Sequence, residues 1–306
     1  MREQILKFDA QFQTGIAATG NIVYDIPFNK LLIAAMGGSM IPGEMLSMLQ
    51  PAIRLNQDYD LPKDIVDDTF VICISWSGDT EETISAYNEA VKRNLKTLVI
   101  TGGGQLTNLA TKNHTTLIQL PKEKIQPRIA VGYMVGALFK ALGIEKELSF
   151  KLNSLGLEKM GQEIALNIGT KTPLIYSAHS WQDLTRFWKI LFNENDKIHA
   201  ESNSFPELEH NELAGFNDKD KDKFHVIVLR DDQDDPRQKK NIDLTLAILD
   251  KIGYNYNIVN LSGKTLLEKV VNNYTLALWT SYYLAKFLDV DPEKIKVIEE
   301  FKRLKK

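Results

Sequence analysis

Short runs of apolar residues alternate along this chain with longer segments in which apolar residues recur every three or four positions. A short apolar run is typical of a buried β-strand, and the longer period is typical of an amphipathic helix. The predicted strands are residues 30–35, 71–75, 97–100, 116–120, 173–178, 197–201, 225–229 and 255–259. The predicted helices are residues 3–18, 42–48, 129–142, 145–168, 182–192, 241–252, 267–288 and 292–304, with a further helix that begins at Thr80. Strands that alternate with helices predict βαβ units and parallel sheets, which places the chain in the α/β fold class.

The alternation of strands and helices occurs twice, which suggests two domains of similar architecture. A chain of 306 residues is also long enough for about two domains. We interpret the charged, amphipathic segment 145–168 as a helix that links them. We therefore predict one domain over residues 1–150 and a second over residues 151–306. Each domain is expected to be a mainly parallel sheet flanked by helices.

One turn carries the first indication of chemistry. After the strand at 71–75, the hydroxyl residues Ser75, Ser77 and Thr80 surround Gly78, and Thr80 is a good N-cap for the helix that follows. Free backbone N–H groups and the positive end of a helix dipole bind phosphate at such a position. Gly78 would let the backbone approach the ligand closely. The alternative is an ordinary capped turn in which the serines bind no ligand.

A second turn of the same kind follows the strand at 30–35, where Gly37, Gly38 and Ser39 precede a helix. Ligands of parallel sheets bind at the carboxyl ends of the strands. Both turns lie at such ends, so we expect them to face one ligand. The predicted phosphate ligands are the side chains of Ser39, Ser75, Ser77 and Thr80, together with the backbone of Gly38 and Ser77. For each serine alone, a role in the turn or as a cap remains the alternative.

Composition and charge argue against several other classes of protein. The net charge is −3, so no basic surface indicates binding to nucleic acid or to an anionic membrane. The chain has one cysteine, Cys73, and a single cysteine excludes an intrachain disulfide and a cysteine metal cluster. Because Cys73 lies in a predicted strand, we expect it to be a core residue. We see no transmembrane stretch and no signal peptide, so we expect a cytoplasmic protein. The charged runs 218–223 and 231–240 are predicted to be solvated loops.

Several motifs resemble those of a known family. The two hydroxyl-rich turns resemble the sugar isomerase (SIS) domain, and tandem domains of this type are similar to several phosphosugar proteins. More specific are Asn193-Glu194-Asn195 and residues 206–216, which read PELEHNELAGF. They closely resemble the NEN and PELxHNExxG(F/Y) motifs of the bifunctional phosphoglucose/phosphomannose isomerases. Further similarities follow in the family's order and are Pro121-Lys122, Pro127-Arg128, Asp291-Pro292, Ile298 and Phe301-Lys302.

The resemblance implies an aldose–ketose isomerase acting on glucose 6-phosphate and fructose 6-phosphate, with mannose 6-phosphate as a further candidate. It implies that Glu194 moves a proton between C1 and C2, since a carboxylate suits a short proton transfer. His210 would open the sugar ring, because imidazole titrates near neutrality. Arg128 would stabilise the enediolate with a permanent cation, and Lys302 would assist ring opening or bind a sugar oxygen.

The resemblance also implies that His210 reaches into the site of the partner subunit. The protein is therefore expected to be a homodimer with composite sites. No metal and no other cofactor is expected, because a cation and hydrogen bonds can supply the charge that the enediolate needs.

Each candidate also has an interpretation without chemistry. Glu194 could be a solvated residue at a helix end, His210 a loop hydrogen-bonder and Arg128 a surface arginine. Lys302 could be a solvated charge of the tail. The whole chain could be a non-catalytic sugar-phosphate sensor. Such a sensor needs the predicted phosphate ligands Ser39, Ser75, Ser77 and Thr80, which we call the hydroxyl cradle, but it needs no base. A third possibility, a glucosamine-6-phosphate-forming enzyme, would need a glutaminase part, and no cysteine nucleophile follows Met1.

Two residues depart from the family pattern. Met40 stands where the family usually has glycine after the serine, which would narrow the turn. Ile295 stands about where a threonine is expected before Lys302. The resemblance links the hydroxyl of that threonine to activity on mannose 6-phosphate.

Overall fold

The computed structural model describes residues 1–305, and the chain divides into two compact units. The N-terminal unit comprises Leu6–Leu152. The C-terminal unit comprises Met1–Ile5 together with the chain from Asn153 onward. The first five residues thus belong with the second half of the chain, whereas the predicted first domain had included them.

The N-terminal unit is built on one parallel sheet of five strands in the order β2-β1-β3-β4-β5. The strands are β1 (Leu31–Ala34), β2 (Arg54–Asn56), β3 (Phe70–Ser75), β4 (Thr97–Thr101) and β5 (Thr116–Gln119). The helices in this half of the chain are α1 (Arg2–Leu6), α2 (Phe8–Thr19), α3 (Ile41–Leu49), α4 (Glu81–Lys92), α5 (Gly104–Lys112) and α6 (Val131–Ala141).

The central strand β3 is buried along its whole length, because both faces of the sheet are covered. On one face, Val71 and Cys73 pack in a cluster with Tyr87 of α4 and Leu106 of α5. The helices α2 and α6 pack closely on each other. A Cβ atom at Gly15 of α2 would lie only 2.1 Å from the carbonyl oxygen of Tyr133 in α6. Cys73 is a buried core residue, as predicted.

The C-terminal unit is built on a second parallel sheet, with four strands in the order β7-β6-β8-β9. The strands are β6 (Thr172–Ala178), β7 (Glu201–Phe205), β8 (Phe224–Arg230) and β9 (Tyr256–Asn260). The helices are α7 (Ser154–Ile168), α8 (Gln182–Leu191), α9 (Glu207–His210), α10 (Pro236–Ile252), α11 (Leu266–Phe287) and α12 (Lys296–Leu304). The predicted α/β class with two mainly parallel sheets is confirmed.

Some predicted elements are wrong in position. The N-terminal helix is interrupted at Lys7, and α12 begins at Lys296 rather than at residue 292. The segment 145–168 is not one linking helix, because only a short 3-10 turn precedes α7, whose N-terminus is capped by Asn153. Three short elements were not predicted, namely β2, α5 and α9.

The charged run 231–240 is only partly a loop. Pro236 begins α10, and the side chain of Asp235 caps this helix by accepting a hydrogen bond from the N–H of Arg237. Asp231 is buried and forms an ion pair with Lys269. The other charged run, 218–223, lies in turns outside the regular elements, as predicted.

Candidate active site

The two hydroxyl-rich turns meet at the carboxyl edge of the N-terminal sheet. Strands β1 and β3 are neighbours, with Ala34 opposite Cys73. The backbone N–H of Trp76 donates a hydrogen bond of 3.1 Å to the hydroxyl of Ser39. The structure therefore brings together the two turns that the sequence predicted would converge.

The turn after β3 is organised by its own hydroxyls. The Ser75 hydroxyl donates to the Thr80 hydroxyl at 3.2 Å and accepts from the N–H of Gly78 at 3.1 Å. Thr80 stands at the N-cap position of α4 as predicted, but its side chain makes no capping hydrogen bond. Within residues 1–305, the N–H groups of Ser77 and Thr80 have no hydrogen-bond acceptor. These donors and the exposed Ser77 side chain suit a phosphate at the start of a helix.

Gly78 adopts a backbone conformation, in surroundings so close, that a residue with a side chain could not take its place. Its φ angle is +75°, and a Cβ atom there would lie 1.6 Å from the carbonyl oxygen of Gly103. The N–H of Leu106 donates to the Gly78 oxygen at 2.8 Å, and the Thr101 hydroxyl donates to the Ser75 oxygen at 2.6 Å. The loop after β4 thus holds the phosphate turn in shape, which sets up the hydroxyls before any ligand binds.

Arg128 lies behind the first turn. A Cβ atom on Gly38 would stand 2.6 Å from the backbone nitrogen of Arg128, so only glycine lets the two segments touch. The Arg128 side chain has a relative exposure of 0%, which excludes the alternative of a surface arginine. The predicted cation is therefore built into the same edge of the N-terminal unit as the predicted phosphate ligands.

Met40 does not narrow the turn in the way that its replacement of glycine suggested. Its side chain is fully buried, and its sulfur atom lies close to Gly43 of α3. The absence of a side chain at Gly43 leaves space for the thioether, which therefore packs in the core rather than across the turn.

A cavity of about 730 Å³ lies beside the phosphate turn but is lined by none of the predicted phosphate ligands. Its lining includes Asp79, Gln105 and Lys122. The Asp79 carboxylate accepts a 2.9 Å hydrogen bond from the N–H of Gln105 and so occupies the N-terminus of α5. A carboxylate already bound there disfavours a second anion, so the cradle of hydroxyls remains the better phosphate site.

In the C-terminal unit, Glu194 lies on a turn of π-helix, Phe192–Asp196, that extends α8. Lys197 ends this turn in the left-handed conformation, with a φ angle of +60°. Its ammonium donates to the carbonyl oxygens of Glu194 at 2.5 Å and of Asn195 at 3.1 Å. This turn moves the next strand to Glu201–Phe205, so the strand predicted at residues 197–201 is wrong. A single π turn often marks a functional site.

The asparagines beside Glu194 have different environments. Asn195 is completely buried, and its amide donates a hydrogen bond of 2.8 Å to the hydroxyl of Ser281 in α11. Asn193 is exposed. Asn195 therefore anchors the backbone of the turn to α11.

Glu194 is half-buried and lines a cavity of about 770 Å³. One part of the lining is Asn193, Lys197, Ile198 and His199, and the other part lies within residues 290–298. Ile295, which replaces the expected threonine, belongs to this second part. Sequence reasoning gave His199 no role, and only its distance of five residues from Glu194 could have indicated it. The cavity gives Glu194 room to meet a ligand, unlike a solvated helix end.

The block that contains His210 is held by Glu212. The Glu212 carboxylate accepts from the phenol of Tyr176 at 2.5 Å and from the amide of Asn203 at 2.6 Å. Burial, followed by the nearby Glu212 charge, raises the pKa of Tyr176, so its phenol stays protonated and keeps donating. His210 itself is the last residue of α9 and is exposed.

Within the C-terminal unit, the structure places three predicted catalytic residues in separate positions. Glu194 lines the cavity just described, whereas neither His210 nor Lys302 lines it. Lys302 is exposed on α12, a helix in which no residue is buried. Roles for His210 and Lys302 at the reacting carbons therefore stay predictions.

Comparisons with known proteins agree with the motifs. The family of the bacterial phospho-glucose isomerase C-terminal SIS domain matches residues 158–304. A bifunctional phosphoglucose/phosphomannose isomerase of Aquifex aeolicus is 33% identical over 90% of this chain and 90% of its own length. The enzyme of that name from Thermoplasma volcanium is 34% identical over 99% of this chain and 96% of its own length.

The fold is also found among solved structures. The crystal structure of a hypothetical protein from Thermus thermophilus superposes with a TM-score of 0.73 at 13% identity, covering 99% of this chain and 89% of that protein. At 13% identity, this similarity shows that the two proteins share a fold and nothing more. No helix within residues 1–305 combines the length and the apolar character needed to cross a membrane. On its sequence identity across nearly the whole chain, the protein belongs to the family of bifunctional phosphoglucose/phosphomannose isomerases.

Proposed function

We propose that this protein interconverts glucose 6-phosphate and fructose 6-phosphate, and also mannose 6-phosphate and fructose 6-phosphate. The observation that carries the proposal is the position of Glu194 on the wall of a cavity in a chain that also has the hydroxyl cradle. Binding of a sugar phosphate needs only the cradle, whereas isomerisation also needs a base. The relatives at 33% and 34% identity bear the names of enzymes that act on both sugars.

The cradle binds the phosphate of the substrate. Ser39, Ser75, Ser77 and Thr80, with the backbone of Gly38 and Ser77, offer hydroxyl and N–H donors at the start of a helix. Such donors hold a dianion without a lysine. The phosphate lies at C6, far from the reacting carbons, so its binding energy can be used to orient C1 and C2.

Glu194 moves the proton. In the forward direction, it removes the proton from C2 of the open-chain aldose, and the electron pair shifts to give an enediolate. Glu194 then returns a proton to C1, while a proton passes from O2 to O1, and the ketose is formed. Both steps occur on adjacent carbons, so one carboxylate at one position is enough. The reaction needs no net oxidant or reductant.

The developing negative charge of the enediolate needs a cation nearby, and we assign this role to Arg128. Because the guanidinium is buried, its charge acts with little screening by water. Ring opening needs a proton at O5 and the removal of one from O1. We assign this transfer to His210, with Lys302 assisting or binding a sugar oxygen.

We further propose that the active protein is a homodimer in which His210 acts in the partner's site. The imidazole is exposed at the end of α9, and the Glu212 network holds this block in place. A residue on the outside of its own chain is available to a second chain. The alternative of a non-catalytic sensor would leave Glu194 without a role, and no observation favours it.

A coupled assay with glucose 6-phosphate and mannose 6-phosphate, measured separately and with a chelator present, tests the proposal. We expect turnover of both sugars and a loss of at least about a hundredfold in kcat for Glu194→Gln, as expected for loss of an acid–base group. The control is Glu201→Gln, which removes an exposed carboxylate of β7 outside the cavity. Near-normal kcat in Glu194→Gln would remove Glu194 from its role, and no turnover by the unmodified protein would contradict the function.

A further inference from the structure

Trp76 stands between two of the predicted phosphate ligands, Ser75 and Ser77, yet its side chain faces away from solvent with 6% exposure. Its backbone N–H donates to the hydroxyl of Ser39 in the first turn. Its indole N–H donates to the carbonyl oxygen of Ile125 at 3.0 Å. One residue of the second turn therefore bonds to the first turn and to residues 121–127, which we call the Arg128 loop because it leads to Arg128.

The indole also supports the Arg128 loop through a second contact. Its ring stacks on Tyr133 of α6, with ring centres 5.5 Å apart and planes inclined by 23°. The Tyr133 phenol donates to the carboxylate of Glu123 at 2.8 Å. Burial, with a contribution from Glu123, raises the pKa of Tyr133 to about 12, so the phenol keeps its proton near neutrality. Trp76 thus connects to the loop directly at Ile125 and through Tyr133 at Glu123.

The end of the Arg128 loop touches the first turn. A side chain at Gly38 would meet the backbone nitrogen of Arg128 at 2.6 Å and the backbone carbon of Pro127 at 2.9 Å. Exposed residues make up the middle of the loop, namely Lys122, Glu123 and Lys124. A loop with an exposed middle keeps its shape where it is tied down, and the ties of this loop include the indole, the phenol and the Gly38 contact.

We infer that Trp76 is a positioning residue that couples the phosphate cradle to Arg128. This inference rests on the isomerase function proposed above. The phosphate binds at the turn around Ser75, Ser77 and Thr80, and the indole in that turn fixes the loop that ends at Arg128. The guanidinium is then in place when charge develops on the enediolate.

The chemistry of the side chain explains why tryptophan suits this position. Indole combines a planar apolar ring with one N–H donor and no acceptor. Phenylalanine would keep the stacking on Tyr133 but would lose the hydrogen bond to Ile125. The phosphate ligands themselves would stay unchanged.

Because Arg128 acts on charge that is present only in the transition state, loosening its loop should lower kcat more than it raises KM. We expect Trp76→Phe to lower kcat at least about tenfold with KM within about threefold of the unmodified protein. Tyr133→Phe keeps the ring and removes the bond to Glu123, so it should lower kcat by a smaller factor. Both variants are assayed with fructose 6-phosphate as substrate.

The matched control is Trp181→Phe in the C-terminal unit. It removes an indole hydrogen bond of the same length, 3.0 Å, which Trp181 donates to Asp234. A general effect of losing a buried indole would appear there too. We expect Trp181→Phe to leave kcat within about twofold of the unmodified protein, because its hydrogen bond is made to Asp234 within the C-terminal unit and not to the Arg128 loop.

A double-mutant cycle separates positioning from a structural role. Arg128→Lys keeps the charge but loses the planar fork. If Trp76 acts through Arg128, adding Trp76→Phe to Arg128→Lys should lower kcat by less than about threefold, far less than in the unmodified background. If Trp76→Phe lowers kcat by the same factor in the Arg128→Lys background as in the unmodified protein, the two residues act independently and the inference is overturned.

Other outcomes are also decisive. An unmodified protein without isomerase activity contradicts the proposed function, whereas an active one whose kcat is unaffected by Trp76→Phe overturns only the inference. A raised KM with unchanged kcat would assign Trp76 to phosphate binding alone and would also overturn it. If Trp76→Phe fails to fold, Tyr133→Phe decides, because an unchanged kcat in that variant overturns the coupling.

Discussion

The amide of Asn195 donates a 2.8 Å hydrogen bond to the hydroxyl of Ser281, and this bond ties the π turn of Glu194 to the long helix α11. Asn195 is fully buried, as is Ser281. Buried polar groups are costly to leave unpaired. The bond therefore gives the backbone on one side of the proposed base a fixed position.

We expect Ser281→Ala to lower the free energy of unfolding by about 1–3 kcal/mol, because the buried amide loses its acceptor. The looser turn should also lower kcat more than it changes KM. Urea unfolding and steady-state kinetics measure the two effects. Thr280→Val is the control, since among the described residues 1–305 that hydroxyl bonds only within α11, to the oxygen of Leu276. Equal kinetics in the two variants would show that the bond does not position Glu194.

The phosphate cradle predicts a change in substrate affinity without a change in fold. Ser77→Ala combined with Thr80→Ala removes two hydroxyls, and hydrogen bonds to a charged group are each worth about 1.5–3 kcal/mol. We expect KM for fructose 6-phosphate to rise at least about tenfold while the unfolding midpoint changes little. The control is Ser85→Ala, which removes a hydroxyl of helix α4 that donates to the Asp60 carboxylate instead. Unchanged KM in the double variant would place the phosphate elsewhere.

Composite sites predict that two inactive variants rescue each other. In a dimer of one Glu194→Gln chain and one His210→Ala chain, one of the two sites contains both unmodified residues. Free mixing of subunits should therefore restore about a quarter of the unmodified activity. The measurement is activity after unfolding the variants together and refolding them, with each variant refolded alone as control. Verified mixed dimers without activity would contradict a shared site.

Ile295 allows a test of substrate preference, because it lines the cavity of Glu194. Ile295→Thr adds a hydroxyl where the family resemblance expects one. We expect the ratio of kcat/KM for mannose 6-phosphate to that for glucose 6-phosphate to rise about tenfold, the size of one hydrogen bond to substrate. Ile258→Thr introduces the same change on strand β9, outside the cavity, and should leave the ratio unchanged.

His225 predicts a pH dependence of stability. It is 1% exposed, its Nε2 lies 2.7 Å from the Asn257 side-chain oxygen, and its Nδ1 has no hydrogen-bond partner within residues 1–305. Burial lowers its pKa, the bond to Asn257 opposes this, and the charge of Lys171 adds to the lowering. Below a pH of about 6.5, the unfolded chain takes up a proton that the folded chain resists, so stability falls as the pH decreases.

We expect the unmodified protein to lose more stability than His225→Gln between about pH 7.5 and about pH 5.5, because glutamine does not titrate. Urea unfolding at the two pH values gives the difference, and carboxylates that titrate in the same range cancel between the proteins. An equal loss in both proteins would show that His225 does not carry this dependence.

Much of the architecture could be predicted from the sequence because it depends on local periodicity. The apolar runs predicted seven strands at the positions where the structure has them. The recurrence of apolar residues every three or four positions predicted most of the helices. The exceptions have local causes that periodicity does not report. The π turn at Glu194 and the left-handed Lys197 displace β7, while an Asp235 cap lets α10 begin inside a charged run.

The sequence by itself determined the α/β class, the hydroxyl-rich turns and the motifs that carry Glu194, His210 and Arg128, since these are properties of residues near one another in the chain. Only the tertiary structure decided that Ser39 meets Trp76, that Arg128 is buried and that Glu194 lines a cavity. Those relationships depend on strand order and on contacts between residues far apart in sequence. The physical reason is that packing, unlike periodicity, is a property of the whole folded unit.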